Sequence, residues 1–202
     1  MNNLTKESAF DKKAGTWDMS DMRVATAQNI YDAIVKEVEL NKEMDVIDFG
    51  AGTGLLSRNV ALHVKNLLGI DTSEKMLEKL EELGIENIST LHVDICKYES
   101  GKKYDGIVSS MTMHHVEHLD ALFTKMAELL KEGGFIAIAD LMSEDGTFHT
   151  DNEGVHHFGF SEADLIDIAK KHGFKEVKYQ RIFDINKEGR EPYGIFLLTA
   201  KR

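Results

Sequence analysis

Residues 46–54 read Val-Ile-Asp-Phe-Gly-Ala-Gly-Thr-Gly, a short apolar run followed by three glycines at alternate positions. This pattern predicts a buried β-strand that enters a tight loop and opens a helix. The glycines permit a sharp turn, and they let a ligand lie against the main chain because no Cβ stands in the way. The stretch therefore predicts an α/β fold with a ligand site at the end of its first strand.

The spacing of the glycines distinguishes two classes of ligand. The nicotinamide-binding fingerprint, G-x-G-x-x-G, would place a third glycine at Leu55, whereas this chain has Gly54, which argues against a dehydrogenase. With Asp48 two residues before Gly50, the pattern is D-x-G-x-G-x-G. It resembles the first motif of the class I S-adenosylmethionine-dependent methyltransferases. The resemblance implies S-adenosyl-L-methionine as cofactor and S-adenosyl-L-homocysteine as its product.

Two further acids follow apolar runs downstream. Asp71 comes after 67–70, about twenty residues beyond the glycines, where an acid is placed to accept both hydroxyls of a ribose. Asp94 follows the run 88–93. In the resembled family an acid there accepts from the adenine amino group, and the next backbone N–H, here that of Ile95, faces the ring. Each acid alone is also typical of a strand end or a helix N-cap, but three at successive strand ends favour a cofactor site.

The N-terminal segment 10–18 resembles the lead-in of many small-molecule methyltransferases, which folds over the cofactor. Trp17 is predicted near the sulfonium or the acceptor, with a hydrophobic staple for the first helix as the alternative. Arg23 is predicted to pair with the methionine carboxylate, with a solvated arginine as the alternative. The complete predicted cofactor site is Trp17, Arg23, Asp48, Gly50, Ala51, Gly52, Gly54, Asp71, Thr72, Met76, Asp94, Ile95 and Ser110.

Alternating strand and helix patterns predict a Rossmann-like, mostly parallel sheet of seven strands with helices on both faces. Strands are predicted at 46–50, 67–71, 88–93, 104–110, 134–140, 176–185 and 192–201, and helices near 20–40, 54–64, 73–83, 118–131 and 161–172. The short polar loop 186–191 predicts a C-terminal antiparallel hairpin. The resemblance implies the strand order 3-2-1-4-5-7-6. One domain is expected: a cofactor-covering part at 1–40, a core at 41–140, an acceptor cap at 141–160 and a last part at 161–202.

Six of the nine histidines lie between residues 114 and 157. His114 and His115 follow the fourth strand, and this stretch resembles that of generic small-molecule methyltransferases of the ubiquinone- and menaquinone-biosynthesis type. It departs from the N-P-P-Y motif of nucleic-acid amino methyltransferases. Either histidine is a candidate to accept a proton from the acceptor, with His115 preferred, and a purely structural role for both is the alternative.

The connection 141–160 has no clear helix or strand period, and connections of that length are usually lids or binding loops. Its aromatic and histidine content predicts an acceptor cap. A metal site from His149, His156, His157 and Asp151 is conceivable, but the irregular spacing disfavours it, and no metal is predicted.

Charge limits the classes of acceptor and partner. The chain carries a net charge of −11, and residues 104–169 hold thirteen acids against Lys125 and Lys131. Nucleic-acid binding needs a basic footprint, so no nucleic-acid partner is predicted, and a neutral or cationic small molecule is favoured.

No run reaches the roughly 18 apolar residues of a membrane span, the polar start is unlike a signal peptide, and the single Cys96 suits a reducing compartment. A cytoplasmic methyltransferase is therefore expected. The alternatives are a protein or nucleotide methyltransferase and a non-catalytic cofactor-binding module.

Overall fold

A seven-stranded sheet forms the centre of the computed structural model, which describes residues 10–202. Its strands are β1 Asp45–Phe49, β2 Asn66–Asp71, β3 Ile88–His92, β4 Tyr104–Ser110, β5 Leu130–Leu141, β6 Lys175–Ile185 and β7 Tyr193–Lys201. Their order is β3-β2-β1-β4-β5-β7-β6. The first five strands pair in parallel, and β7 pairs antiparallel with both β5 and β6. The predicted sheet and its C-terminal hairpin are confirmed.

Helices lie between the strands and cover both faces of the sheet. They are α1 Asp21–Glu37, α2 Ser57–Val60, α3 Glu74–Glu82, α4 Leu119–Leu129 and α5 Glu162–Lys171, with 3₁₀ helices at Asp11–Met19, Ile95–Lys97 and Met113–His115. Residues 1–9 of the predicted cofactor-covering part lie outside the described residues. No helix in the described part of the chain has both the length and the apolar character needed to cross a membrane.

Strand alternation explains the two apolar layers. Ile47 and Phe49 point to one face of the sheet, where α4 and α5 pack, while Val46 points to the other, where Ile30 and Ile34 of α1 pack. Because both faces are covered, the central strands are apolar almost throughout. This explains why β1 could be recognised as a short apolar run.

The helix predicted at 54–64 was wrong in length, since only Ser57–Val60 is α-helical. The amide side chain of Asn87, which lies on another segment, donates to the carbonyls of Ala61 and Val64 at 2.8 and 3.2 Å. A continuing α-helix would need those carbonyls for its own ladder. The side-chain bonds therefore end the helix early and turn the chain into β2.

A second boundary also differs from the prediction. Gly84 and Gly173 each lie one residue beyond the C-cap position that follows the last helical residue of α3 or α5, in left-handed conformations with φ +63° and +84°, which is typical of glycines that end a helix. Gly133 has φ +78° but lies inside β5, because α4 ends at Leu129 and Leu130 already pairs with Tyr104. Leu130 is buried, and its burial in the core takes the chain out of the helix before the glycine.

Candidate active site

The glycine loop after β1 has the backbone that its sequence requires. Gly50, Gly52 and Gly54 all have positive φ, +68°, +55° and +87°. The N–H groups of Gly50 and Ala51 donate to the carbonyl of Ile70 at 2.7 and 3.1 Å, which holds the loop against β2. A Cβ on Gly50 would lie 2.1 Å from the Thr112 side chain, whereas one on Gly52 would meet open space. The main chain at Gly52 is therefore the surface that a ligand can approach.

Asp71 connects this loop to the start of α3. Its Oδ2 accepts from the N–H of Gly52 and its Oδ1 from the N–H of Ser73, both at 2.8 Å. Burial raises the pKa of Asp71, and the backbone hydrogen bonds oppose that rise. The N–H of Thr72 contributes to that opposition, and because a carboxylate has about four lone-pair sites, acceptor capacity remains for hydroxyl groups. The bracing of the glycine loop by Asp71 is a role that sequence reasoning missed.

Asp48 lies beneath the loop and is only 1% exposed. The hydroxyl of Ser57 donates to its Oδ2 at 2.6 Å. Burial raises the pKa of the Asp48 carboxyl to about 7, and the negative charge of Asp71 adds to the rise. From this position Asp48 supports the start of α2, and any influence on a cofactor would act through the loop above it.

The other predicted cofactor residues lie around the same edge of the sheet. Asp71 is in register with His92, the last residue of β3, and Asp94 follows two residues later, beyond the end of that strand. The Oδ1 of Asp94 accepts from the N–H of Cys96 at 3.0 Å and caps a short helix that buries Ile95. Met76 is buried in the first turn of α3, Thr72 offers its carbonyl to His92, and Ser110 ends β4 half-buried.

The lead-in 3₁₀ helix Asp11–Met19 joins three parts of the site. Asp18 accepts from the Thr53 hydroxyl of the glycine loop at 2.5 Å, and Asp11 accepts from the Ser73 hydroxyl at 2.6 Å. Phe10, directly before this helix, places its ring centroid 5.1 Å from that of His115. The segment therefore lies across the glycine loop and reaches the histidine pair.

Trp17 and Arg23 contact each other. The guanidinium carbon of Arg23 lies 3.9 Å from the Trp17 ring centroid, and Nη1 donates to the Trp17 carbonyl at 3.3 Å. This cation–π contact holds the lead-in segment to α1. A guanidinium has five N–H donors, so others remain for a carboxylate.

A buried acid holds His114. Nδ1 of His114 lies 2.6 Å from Oδ1 of Asp140, and the His114 backbone N–H donates to Oδ2 at 3.1 Å. Both side chains are almost fully buried, at 1% and 0% exposed. Because the carboxylate accepts, Nδ1 carries the proton and Nε2 is directed away from Asp140. Sequence reasoning missed Asp140, although it carries the same signal as the other acids, a charged residue at the carboxyl end of an apolar strand.

His115 and His149 complete a cluster with His114. Nε2 of His149 lies 3.1 Å from Nε2 of His114, and Nδ1 of His115 lies 2.7 Å from the carbonyl of Gly154. The ring centroids of His114 and His115 are 4.1 Å apart. Burial lowers the pKa of both His115 and His149 to about 4, with electrostatic repulsion between the neighbouring imidazoles of the cluster as a second cause. Both rings are therefore neutral at pH 7.

The connection 141–160 is docked against this cluster. The N–H groups of His156 and His157 donate to the carbonyl of His114 at 3.0 and 3.2 Å. Nε2 of His157 lies 2.9 Å from the carbonyl of Val116, while the side chains of His156 and Asp151 are exposed. The structure does not bring His149 together with His156, His157 and Asp151, the grouping that the sequence already disfavoured. His149 instead joins the two histidines that follow β4.

Comparison with known proteins identifies the class of this site. Residues 22–179 match the family model described as a methyltransferase domain. The chain belongs to this methyltransferase family. An uncharacterised methyltransferase of Schizosaccharomyces pombe is 30% identical over 147 residues, which make up 63% of this chain and 52% of that protein. The matched region thus spans about half the length of that relative.

Solved structures share the fold at low sequence identity. The methyltransferase of a Haloferax volcanii complex with the Trm112 methyltransferase activator superposes with a TM-score of 0.83 at 17% identity, covering 98% of this chain and 99% of that one. Phosphoethanolamine N-methyltransferase 2 of Haemonchus contortus, solved with S-adenosyl-L-methionine, gives 0.72 at 17% identity, covering 96% and 60%. Family and fold together confirm a class I S-adenosylmethionine-dependent methyltransferase and its predicted cofactor.

Proposed function

We propose that this methyltransferase transfers the methyl group of S-adenosyl-L-methionine to a neutral or cationic small molecule held beside His115. One observation carries the proposal: His115 is contacted by both segments that cover the site. Phe10 of the lead-in segment lies against its ring, and Gly154 of the connection 141–160 accepts from its Nδ1. A macromolecular acceptor needs an open approach to the sulfonium, whereas two covering segments favour an acceptor small enough to be enclosed.

Charge supports the same class of acceptor. The connection 141–160 holds four acids and no lysine or arginine, and residues 104–169 together hold thirteen acids against two lysines. Two cations of the C-terminal hairpin, Lys187 and Arg190, reach the connection, but they donate to the carbonyls of Phe148 and Thr147. An acidic surface attracts amines and repels phosphate-rich polymers.

The reaction is an in-line displacement at carbon. A lone pair of the acceptor forms a bond to the methyl carbon as the carbon–sulfur bond breaks, and the departing pair stays on sulfur to give S-adenosyl-L-homocysteine. The protein mainly has to align donor and acceptor, which can supply about 7–11 kcal/mol of the barrier. We propose that Nε2 of neutral His115 accepts a hydrogen bond from the acceptor, and takes its proton where the acceptor must lose one.

A panel of acceptors tests the proposal. Amines, phenols, thiols, RNA and unfolded protein are incubated with the enzyme and cofactor, and S-adenosyl-L-homocysteine is measured. Turnover should be fastest with an uncharged or cationic small molecule, and His115→Gln should slow it about 10²–10⁴-fold while leaving cofactor affinity unchanged. The exposed His118→Gln is the matched control. Fastest turnover of RNA or protein would contradict the proposal, and cofactor binding without turnover of any acceptor would indicate a binding module.

A further inference from the structure

Three histidines converge on one point between the end of β4 and the connection 141–160. One ring nitrogen from each of His114, His115 and His149 lies within 4.8 Å of the other two. In the described part of the chain, no other group of three histidine, cysteine or acidic side chains meets this distance. His114 is buried and the other two are half-buried, so the cluster is shielded from bulk water.

In two of these three histidines, the Nδ1 atom of the ring is held by a hydrogen bond. Nδ1 of His114 is held by the Asp140 carboxylate, and Nδ1 of His115 by the Gly154 carbonyl. Histidines that bind metals usually donate the other ring N–H to a carboxylate or a backbone carbonyl, which fixes the tautomer and the ring orientation. In both residues the anchoring leaves Nε2 with its lone pair available.

The separation of one pair of ring nitrogens also suits the binding of a shared metal ion. Nε2 of His114 and Nε2 of His149 are 3.1 Å apart. Two imidazole nitrogens at 2.0–2.1 Å from a tetrahedral ion lie about 3.3–3.4 Å apart. The observed distance equally suits a hydrogen bond between the rings, so a metal site and a hydrogen-bonded cluster are the two alternatives.

We propose that His114, His115 and His149 bind one divalent transition-metal ion of the Zn²⁺ class. Imidazole ligands favour Zn²⁺, Co²⁺ or Ni²⁺, whereas Mg²⁺ and Ca²⁺ require oxygen ligands, and the Asp140 carboxylate is already engaged by His114 and Leu141. Three protein ligands leave a fourth position open. The ion would cross-link the connection 141–160 to the end of β4, because His149 belongs to the connection.

One consequence rests on the proposed methyl transfer. The open position would receive an oxygen or sulfur atom of the acceptor, whose proton would pass to a solvent water more readily because the ion stabilises the resulting anion. A bound ion would occupy the lone pair of Nε2 of His115, so in the metal-bound enzyme the ion would replace His115 in assisting the loss of this proton. The two roles differ under chelation, since removing the ion would stop a metal-dependent enzyme and leave a histidine base intact.

Metal binding is tested directly on tag-free, chelator-stripped protein. Zn²⁺ is titrated by calorimetry and Co²⁺ by visible absorption, which reports tetrahedral coordination. We expect one equivalent to bind. Loss of an outer partner of a metal ligand costs 10–100-fold in affinity, so loss of a ligand in His149→Ala should cost at least about 100-fold. His118→Ala, a histidine with an exposed side chain in the same stretch, should bind as the unmodified protein does.

A rescue variant separates the metal site from a hydrogen-bonded cluster. His149→Cys supplies a thiolate, which is a good Zn²⁺ ligand, and should restore most of the affinity that His149→Ala loses. Thermal unfolding without metal shows whether each variant is folded. Failure to bind a stoichiometric ion, or equal binding by His149→Ala, would overturn the proposal. S-adenosyl-L-homocysteine affinity is measured on the same samples, so failure of the cofactor site is distinguishable from failure of the metal site.

Discussion

The buried carboxyl of Asp48 should make the stability of this protein depend on pH in the opposite sense from an ordinary surface acid. Asp48 is 1% exposed and has the Ser57 hydroxyl as a hydrogen-bond donor. Burial raises its pKa from the ordinary 3.8 to about 7. Between these values the unfolded chain releases the proton while the folded protein keeps it. Stability from this group is therefore complete below about pH 4 and is lost as the pH rises through 7.

The size of the effect follows from the shift. The difference of roughly three pH units corresponds to about 4 kcal/mol, at about 1.4 kcal/mol for each unit. Asp48→Asn removes the titration and keeps a carbonyl oxygen for the Ser57 hydroxyl. The new amide N–H groups change the free energy of unfolding of the variant by an amount that does not depend on pH. The slope of the free energy of unfolding with pH, and not its absolute value, is therefore the quantity to compare.

Urea unfolding at pH 4, 5, 6, 7 and 8 measures this slope for both proteins. Relative to Asp48→Asn, the unmodified protein should lose about 4 kcal/mol of unfolding free energy between pH 4 and 8, most of it below pH 7. Asp151→Asn, at an exposed position in the connection, is the control and should follow the unmodified protein. Parallel curves for Asp48→Asn and the unmodified protein would refute the reasoning, because they would show that ionising Asp48 costs the folded state nothing.

Two further predictions concern cofactor binding and are measured by calorimetry. Asp71→Ala should weaken S-adenosyl-L-homocysteine binding by about 1.5–3 kcal/mol, because the ribose hydroxyls lose their charged acceptor and the Gly52 N–H loses its hydrogen-bond acceptor. Unchanged affinity in a folded variant would exclude Asp71 from the cofactor site. Gly52→Val should abolish binding, because a branched side chain would be strained at φ +55° and would fill the open space in front of the loop; normal affinity would place the cofactor elsewhere.

The parts of the fold that the sequence predicts well depend on local physics. The alternation of strands and helices follows from the apolar runs, whereas the strand order is what the resemblance carried by the glycine loop implies. The caps at Gly84 and Gly173 follow from a conformation that L-residues rarely adopt. The shortened α2 could not be predicted in this way, because the side chain that ends it, Asn87, lies more than twenty residues away.

The same distinction applies to the site. Asp71 and the glycines were identifiable because the carboxyl end of a parallel strand is where such sheets bind ligands. The pairing of His114 with Asp140 spans 26 residues and that with His149 spans 35. The first pairing joins the ends of two neighbouring strands, whereas the second depends on the path of a connection without periodic structure. The histidines could therefore be recognised individually but not as a cluster.

Asp48 and Asp140 show why an acid at a strand end indicates position more reliably than role. They lie one residue before the ends of β1 and β5, the two strands on either side of β4, and both are almost fully buried. Asp48 accepts from the Ser57 hydroxyl under the glycine loop, and Asp140 accepts from His114 beneath the histidine cluster and from the N–H of Leu141. A buried carboxylate is costly unless hydrogen bonds hold it, and those bonds fix the partner in one orientation. Asp48 therefore supports the glycine loop, and Asp140 supports the histidine cluster. Sequence reasoning placed Asp48 among the cofactor residues and missed Asp140, because a position near a strand end does not indicate which partner a buried carboxylate will hold.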